Sequence, residues 1–391
     1  MAIESSNNST QRERRLRLGM VGGGQGAFIG AVHRIAARLD DRYQLVAGAL
    51  SSDAARAQAS AEELGIAPER SYDDFESMAS AESAAAEGID IVAIVTPNHI
   101  HYAAARAFLE AGIHVICDKP LTTNLGQAKE LAQLAQDNKL IFAVTYNYSG
   151  YPMIRQAREL AASGALGSLR VVQVEYPQDW LTTAAETTGL KQAEWRTDPE
   201  RAGSGGCIGD IGSHAYHLAC YVTGLQLESL CAELSTFVDG RQLDDNAQIM
   251  LRFAGGARGL LWASQVAPGN ENGLRLRVYG SEGGIEWTQE NPNQLWHTHF
   301  AQPTRLITRG GSGASDGANR LSRIPPGHPE GYLEGFANIY SEVADALQSI
   351  IHGTTLDAAV DFPTVEDGVR GVEFIEAAVE SSNAGAKWVS L

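Results

Sequence analysis

"GMVGGGQGAFIGAVHR", residues 19–34, is the stretch whose reading decides the fold. It follows a short apolar run and opens a helix-like segment, the setting in which a G-x-G-x-x-A spacing carries chemical meaning. Gly22 allows a tight turn, Gly24 lets the backbone approach a pyrophosphate, and Ala27 stands at the third position. Gln25, Gly26 and Phe28 complete a loop at a helix start, where unpaired N–H groups attract phosphate. The expected occupant is a dinucleotide.

Outward from this loop, apolar runs of strand length recur at 17–21, 44–50, 89–95, 114–118 and 141–145, separated by Ala-rich amphipathic stretches. That rhythm predicts βαβ units, and continuous rather than alternating apolar runs predict a parallel sheet covered on both faces. The run at 44–50 ends in "SSD", where an acidic residue would hold the ribose of NAD. Ser51 and Ser52 occupy the tip, Asp53 follows, and Arg56 lies within a helical turn. Serines with an arginine suit the 2′-phosphate of NADP, whereas Asp53 suits a hydroxyl, so NAD or NADP remains open.

Ligands of open α/β sheets bind beyond the carboxyl ends of the strands. Those ends read "TPNHIH" (96–101), "DKP" (118–120) and "YNY" (146–148), which brings Thr96, Pro97, Asn98, His101, Asp118, Lys119 and Asn147 to one edge. A lysine between an apolar strand and a proline at a ligand cleft is a candidate for proton transfer. An exposed lysine after a strand is the plainer alternative. The pairs His99/His101 and His297/His299 have no third ligand nearby in sequence, so no metal is expected.

After residue 165 the pattern changes to segments that alternate apolar with polar residues, such as "DNAQIMLRFA" (245–254) and "LRLRVYG" (274–280). They predict an antiparallel sheet with one wet or partner-covered face. The fold class is therefore α/β: an N-terminal Rossmann dinucleotide-binding domain over 16–147, then an α+β domain over 148–391 with an open, mainly antiparallel sheet. Residues 1–15 read as a flexible tail. Residues 301–331, rich in Gly, Ser and Pro, read as a long loop, and helical patterns at 335–351 and 365–382 close the chain.

Within the second segment, "GGCIGDIGSHAYH" (205–217) sets Asp210 and His214 four residues apart, on one helical face. The pair suits proton transfer, and equally a helix-capping aspartate beside a solvated histidine. "YPQDWL" (176–181) offers Gln178, Asp179 and Trp180 as sugar contacts or as a strand end with a core tryptophan. Trp195, Arg196 and Tyr148 are weaker substrate candidates.

The chain has 391 residues, 44% hydrophobic and 20% charged, with a net charge of −17. That charge argues against nucleic acid and anionic membranes as partners. No apolar run approaches a membrane span, no signal-like segment opens the chain, and four cysteines fall at no zinc or redox spacing. A reduced, cytoplasmic protein is expected.

Taken together and in this order, the glycine loop, "TPNHIH", "DKP" and "GGCIGDIGSH" resemble the Gfo/Idh/MocA family, the glucose–fructose oxidoreductase and inositol dehydrogenase group. The resemblance implies oxidation of a secondary alcohol on a sugar or cyclitol by a nicotinamide cofactor, in a homo-oligomer (dimer or tetramer) built through the open sheet. It matches Lys119 to the lysine of an E-K-P motif, and Asp210 and His214 to a G-D-x-x-x-H motif. His214 would remove the hydroxyl proton, Lys119 would orient that oxygen, and Asp210 would bind a neighbouring hydroxyl or tune the lysine. Asp118 replaces the usual glutamate, and an arginine common after the asparagine of "YNY" is missing. Two other activities share these motifs: a glycoside hydrolase that oxidises its sugar transiently, and a non-catalytic sugar-sensing regulator.

Overall fold

The computed structural model describes residues 14–391. The tail expected over 1–15 lies outside the described residues except for Arg14 and Arg15, whose guanidinium groups pair with Asp90 and Asp41. The first half alternates β1 (Leu16–Gly22), α1 (Phe28–Leu39), β2 (Tyr43–Ala49), α2 (Ala54–Glu63), α3 (Phe75–Ala84), β3 (Ile91–Val95), α4 (Asn98–Glu110), β4 (His114–Cys117), α5 (Leu125–Asp137) and β5 (Phe142–Val144). Its five strands are parallel, in the order β2-β1-β3-β4-β5. β3 is buried at every position, because helices cover both faces of the sheet. The connections depart in opposite directions from β1 and β3, which opens a crevice beyond their carboxyl ends.

The second half contains α6 (Pro152–Ala162), β6 (Leu169–Pro177), α7 (Lys191–Arg196), α8 (Pro199–Ala202), α9 (Ser213–Thr223), β7 (Leu227–Ser235), β8 (Asn246–Phe253), β9 (Arg258–Ser264), β10 (Arg275–Gly280), β11 (Gly283–Thr288), β12 (Gln294–His299) and β13 (Arg305–Thr308). After these come α10 (Asp316–Arg320), α11 (Tyr332–His352), α12 (Val365–Asn383) and β14 (Val389–Ser390). The nine strands form one sheet, antiparallel except where β6 runs parallel to β9. β8 shows why the sequence alternates: Ile249, Leu251 and Phe253 face the core shared with Leu218 and Phe374, while Gln248, Met250 and Arg252 face outward. That outer face also carries Leu260, Tyr279 and Trp296, all exposed.

Two expectations change. Residues 301–331 are not free of regular structure: β13 pairs with β12, and α10 packs on α6. A buried Arg309 organises the segment, donating to Asn293 Oδ1 at 2.8 Å and to the carbonyls of Ile324, Pro325 and His328, with Glu330 3.0 Å away. Hydrogen bonds there do what an apolar periodicity does elsewhere. The division at residue 147 is also crossed, because Phe336, Ile339, Tyr340, Val343 and Leu347 of α11 share a core with Leu16, Leu18, Met20 and Val32. The chain returns to cover one face of the parallel sheet.

Candidate active site

The glycine loop follows β1, and its conformation explains its composition. Gly22 has a φ of 77°, and a Cβ on Gly24 would stand 2.7 Å from the Leu50 carbonyl oxygen and 2.8 Å from Ser60 Oγ. The tightest approach of helix to loop falls later than the third position read from sequence. A Cβ on Gly30 would stand 2.4 Å from Gly23 Cα. Ala27, the N-cap of α1, donates its own N–H to the Gly24 carbonyl at 3.1 Å and makes no side-chain cap, so the first-turn N–H groups of α1 are left to a ligand.

From this loop a cleft of about 930 Å³ runs to the edge of the second sheet. Gly22, Gly24, Gln25, Gly26, Ala27 and Phe28 line one end, with Ser51, Ser52 and Arg56. Asp53 is not among its walls, because its carboxylate caps α2 by accepting from Arg56 N at 2.8 Å. Asp73, Asp74 and Phe75, which nothing in the sequence singles out, join that end. Farther along, Thr96, Pro97 and Asn98 start α4, and Asn98 Nδ2 donates to the Ala202 carbonyl at 2.9 Å. His101 lies behind the wall, its ring nitrogens 2.9 and 2.8 Å from the carbonyls of Pro120 and Thr96. Burial lowers its pKa, so a neutral ring donates to one carbonyl at a time and braces the turn instead of meeting a ligand. Thr96 Oγ1 and Asn147 Nδ2 are buried with no hydrogen-bond partner among the described residues. Two such atoms, a cradle without room for a Cβ and an open helix start together fit a dinucleotide.

Where the first half meets the second, Lys119 Nζ donates to the backbone carbonyl of Asp210 and, at 3.1 Å, to its Oδ1. Arg196 Nε stands 3.2 Å from the same oxygen, and Gln265 Nε2 donates to Oδ2 at 2.9 Å. Burial pushes the Asp210 carboxyl up, but Lys119 and Arg196 hold it well below the usual carboxylate range. Asp210 sits in a π turn, Ile208–Gly212, that leads into α9. Capping is done by Asp244, whose carboxylate accepts from Gly206 N and Ile208 N at 2.7 and 2.8 Å. Gly206 has no room for a side chain, since a Cβ would stand 2.3 Å from the Asp244 carbonyl oxygen. The capping role considered for Asp210 is thus taken by another residue.

His214 is 8% exposed, not solvated, and lines the same cleft as Lys119. Its ring meets Tyr148 edge-on at 5.0 Å and Tyr146 at 5.8 Å, and its buried Nδ1 has no hydrogen-bond partner among the described residues. Aromatic packing, not a carboxylate, orients it. Burial first, then the charge of Lys119, hold the imidazole well below the usual histidine range, against the opposing pull of Asp210. Asp118 accepts from Thr145 Oγ1 at 2.5 Å and lies 3.4 Å from His33 Nε2. Burial pushes its carboxyl up, but His33 and Thr145 more than offset this and it is lowered to about 2.

Of the substrate candidates, Tyr148, Gln178, Trp195 and Arg196 line the cleft. Asp179 and Trp180 do not. Asp179 Oδ2 accepts from Gly269 N at 3.1 Å, and Trp180 packs on Leu181 and donates Nε1–H to Gln178 Oε1 at 3.0 Å. The alternation of β6 ends at Pro177, so the side chains beyond it no longer follow the face of the strand. Tyr176, Asn272, Tyr332 and Phe336 also line the cleft and were not singled out from the sequence. Tyr176 could have been found, since it is the last inward position of β6.

Comparison with known proteins agrees with this geometry. Residues 16–146 match the model described as "Oxidoreductase family, NAD-binding Rossmann fold", and residues 154–286 match the "GFO/IDH/MocA C-terminal domain". An oxidoreductase from Sinorhizobium meliloti is 56% identical in sequence, with a TM-score of 0.89 over 96% of this chain and 100% of that one. An inositol dehydrogenase homolog from Azotobacter vinelandii, complexed with NADH and myo-inositol, is 36% identical, with a TM-score of 0.91 over 97% and 98%. Levoglucosan dehydrogenase of Pseudarthrobacter phenanthrenivorans is 29% identical over 96% of this chain and 98% of its own length. With a dinucleotide cradle in front, an open mixed sheet behind, and both halves matched, the chain belongs to the Gfo/Idh/MocA family of NAD-binding oxidoreductases.

Proposed function

We propose that this enzyme oxidises a secondary hydroxyl of a sugar, sugar derivative or cyclitol. One observation carries the assignment: the Lys119 ammonium and the His214 imidazole line one cleft with the glycine loop. His214, neutral because burial and Lys119 disfavour its charged form, accepts the hydroxyl proton. Lys119 donates to the oxygen as negative charge develops there. Asp210 holds Lys119 by two acceptors and shares its remaining capacity with Arg196 and Gln265, which makes it the residue that positions the lysine. When bound, the nicotinamide supplies the acceptor for the hydride that leaves the carbinol carbon. The myo-inositol complexed with the Azotobacter protein and the levoglucosan in the name of the Pseudarthrobacter enzyme, a cyclitol and an anhydrosugar, support the substrate class.

The test is purified protein with NAD+ or NADP+ and a panel of monosaccharides, anhydrosugars, glycosides and inositols. Reduced cofactor should form in proportion to substrate consumed. Sugar release from a glycoside without net reduction would favour the hydrolase, and no turnover with either cofactor would overturn the assignment.

A pH dependence follows. Because the folded-state pKa of His214 is depressed, its base form persists below the usual histidine value of about 6.5. The acidic limb of kcat/KM, measured with saturating cofactor, is therefore expected below that value. A limb at or above it contradicts the assignment of His214 as proton acceptor.

We further propose that a second copy of the chain covers the exposed outer face around Met250, Leu260, Tyr279 and Trp296, giving a dimer or tetramer. Among the described residues no helix is long and apolar enough to cross a membrane, and all four cysteines are unpaired. Unpaired cysteines support a cytoplasmic setting.

A further inference from the structure

Beside the cluster of Lys119 and His214, one wall of the cleft holds Tyr148, Tyr176, Gln178 and Asn272. Their hydrogen bonds can be assigned a direction from a single fixed point. The indole of Trp180 can only donate, and its Nε1 meets Gln178 Oε1 at 3.0 Å. The amide of Gln178 is thereby oriented, and its Nε2 donates to Asn272 Oδ1 at 2.8 Å. Tyr176 Oη donates to the same Oδ1 at 2.8 Å, so Asn272 is oriented as well. A phenol has one proton, and Tyr176 has given it to Asn272, so in the close Tyr148–Tyr176 contact Tyr148 is the donor. Asn272 Nδ2 faces the Tyr148 oxygen at 3.5 Å. Both hydroxyl protons are used within the wall, and its free donors are amide N–H groups of Gln178 and Asn272.

Resting on the oxidoreductase assignment above, we propose that Asn272 is a specificity-determining residue. It selects substrates that present an oxygen lone pair to this wall, from a hydroxyl or from a ring or bridging ether. Such an oxygen needs no proton of its own, because the amide N–H groups supply it. The wall adjoins the proton acceptor His214, whose ring packs edge-on against Tyr148 at 5.0 Å, so a base and these N–H donors face the same stretch of the cleft. Trp180, outside the cleft, acts as a positioning residue that sets the direction of the whole chain of bonds.

Asn272→Asp tests this with little change of shape. Its carboxylate still accepts from Tyr176 and Gln178, but an oxygen lone pair replaces the N–H donor. With the polyol that the native enzyme turns over best, KM is expected to rise about tenfold or more. The same change should leave kcat within about threefold, since Asn272 shares no hydrogen bond with Lys119, Asp210 or His214. Affinity for NADH should be unchanged. The native enzyme should also prefer a mono-O-methyl derivative of that polyol to the corresponding deoxy derivative, and the variant should not. Trp180→Phe, which removes the fixed point and leaves the cleft residues in place, should raise KM by a smaller factor. Unchanged KM in Asn272→Asp overturns the proposal alone. Failure of every polyol to bind the NADH complex overturns it together with the assignment on which it rests.

Discussion

Lys119→Ala is expected to lower kcat by roughly a thousandfold while reduced nicotinamide binds with unaltered affinity. The separation follows from position. Lys119 Nζ touches Asp210 and the substrate end of the cleft, whereas the phosphate cradle is built from the backbone of Gly22, Gly24 and the start of α1. The fold should survive the change, because Asp210 keeps Arg196 at 3.2 Å and Gln265 at 2.9 Å and is not left as a stranded buried charge. A second consequence separates catalysis from simple damage. Lys119 is one of the two main causes that lower the pKa of His214, so the acidic limb of the residual activity should move up toward the usual histidine range. Steady-state kinetics across pH and a fluorescence titration with NADH read both effects. A kcat within tenfold of the native value would remove Lys119 from the mechanism.

Gly30→Val is expected to act at the other end of the cleft. Its Cβ would stand 2.4 Å from both Cα and O of Gly23, atoms of the loop backbone that cannot rotate away as a side chain can. Either α1 lifts off β1 or the loop shifts, and both disturb the cradle. Cofactor affinity should fall by roughly a hundredfold, with a lower melting temperature. Gly30→Ala should show a milder form of the same defect. Native-like NADH binding in the valine variant would mean that the Gly23–Gly30 contact is dispensable.

What could be read from sequence and what could not divide along a physical line. The parallel sheet was legible because strands buried on both faces must be apolar throughout, as in Ile91–Val95. The strand ends were legible because in such a sheet the residue after the apolar run reaches the ligand edge, which located Thr96, Asp118, Lys119 and Asn147 together. Spacing alone joined Asp210 to His214. Contacts made across long stretches of chain leave no such trace. Nothing near residue 244 announces that its carboxylate caps a turn at 206–208, and nothing near residue 309 announces a buried guanidinium. The glycine fingerprint was read at Gly22, Gly24 and Ala27, but the closest helix packing is at Gly30, where a neighbour and not a period sets the requirement. Asp179 and Trp180 illustrate the reverse error, since chemistry that suits a sugar can sit two or three residues past the strand that would have aimed it.

The return of α11 onto the parallel sheet also constrains how this protein can be taken apart. Excising the nucleotide-binding half at residue 147 would bare the apolar face formed by Leu16, Leu18, Met20 and Val32 to water. It would also strip Tyr332 and Phe336 from the ligand crevice. A chimera that exchanges front halves between relatives must therefore carry the late helix along with them. The residues that cover this sheet and close the cofactor crevice are discontinuous in the sequence.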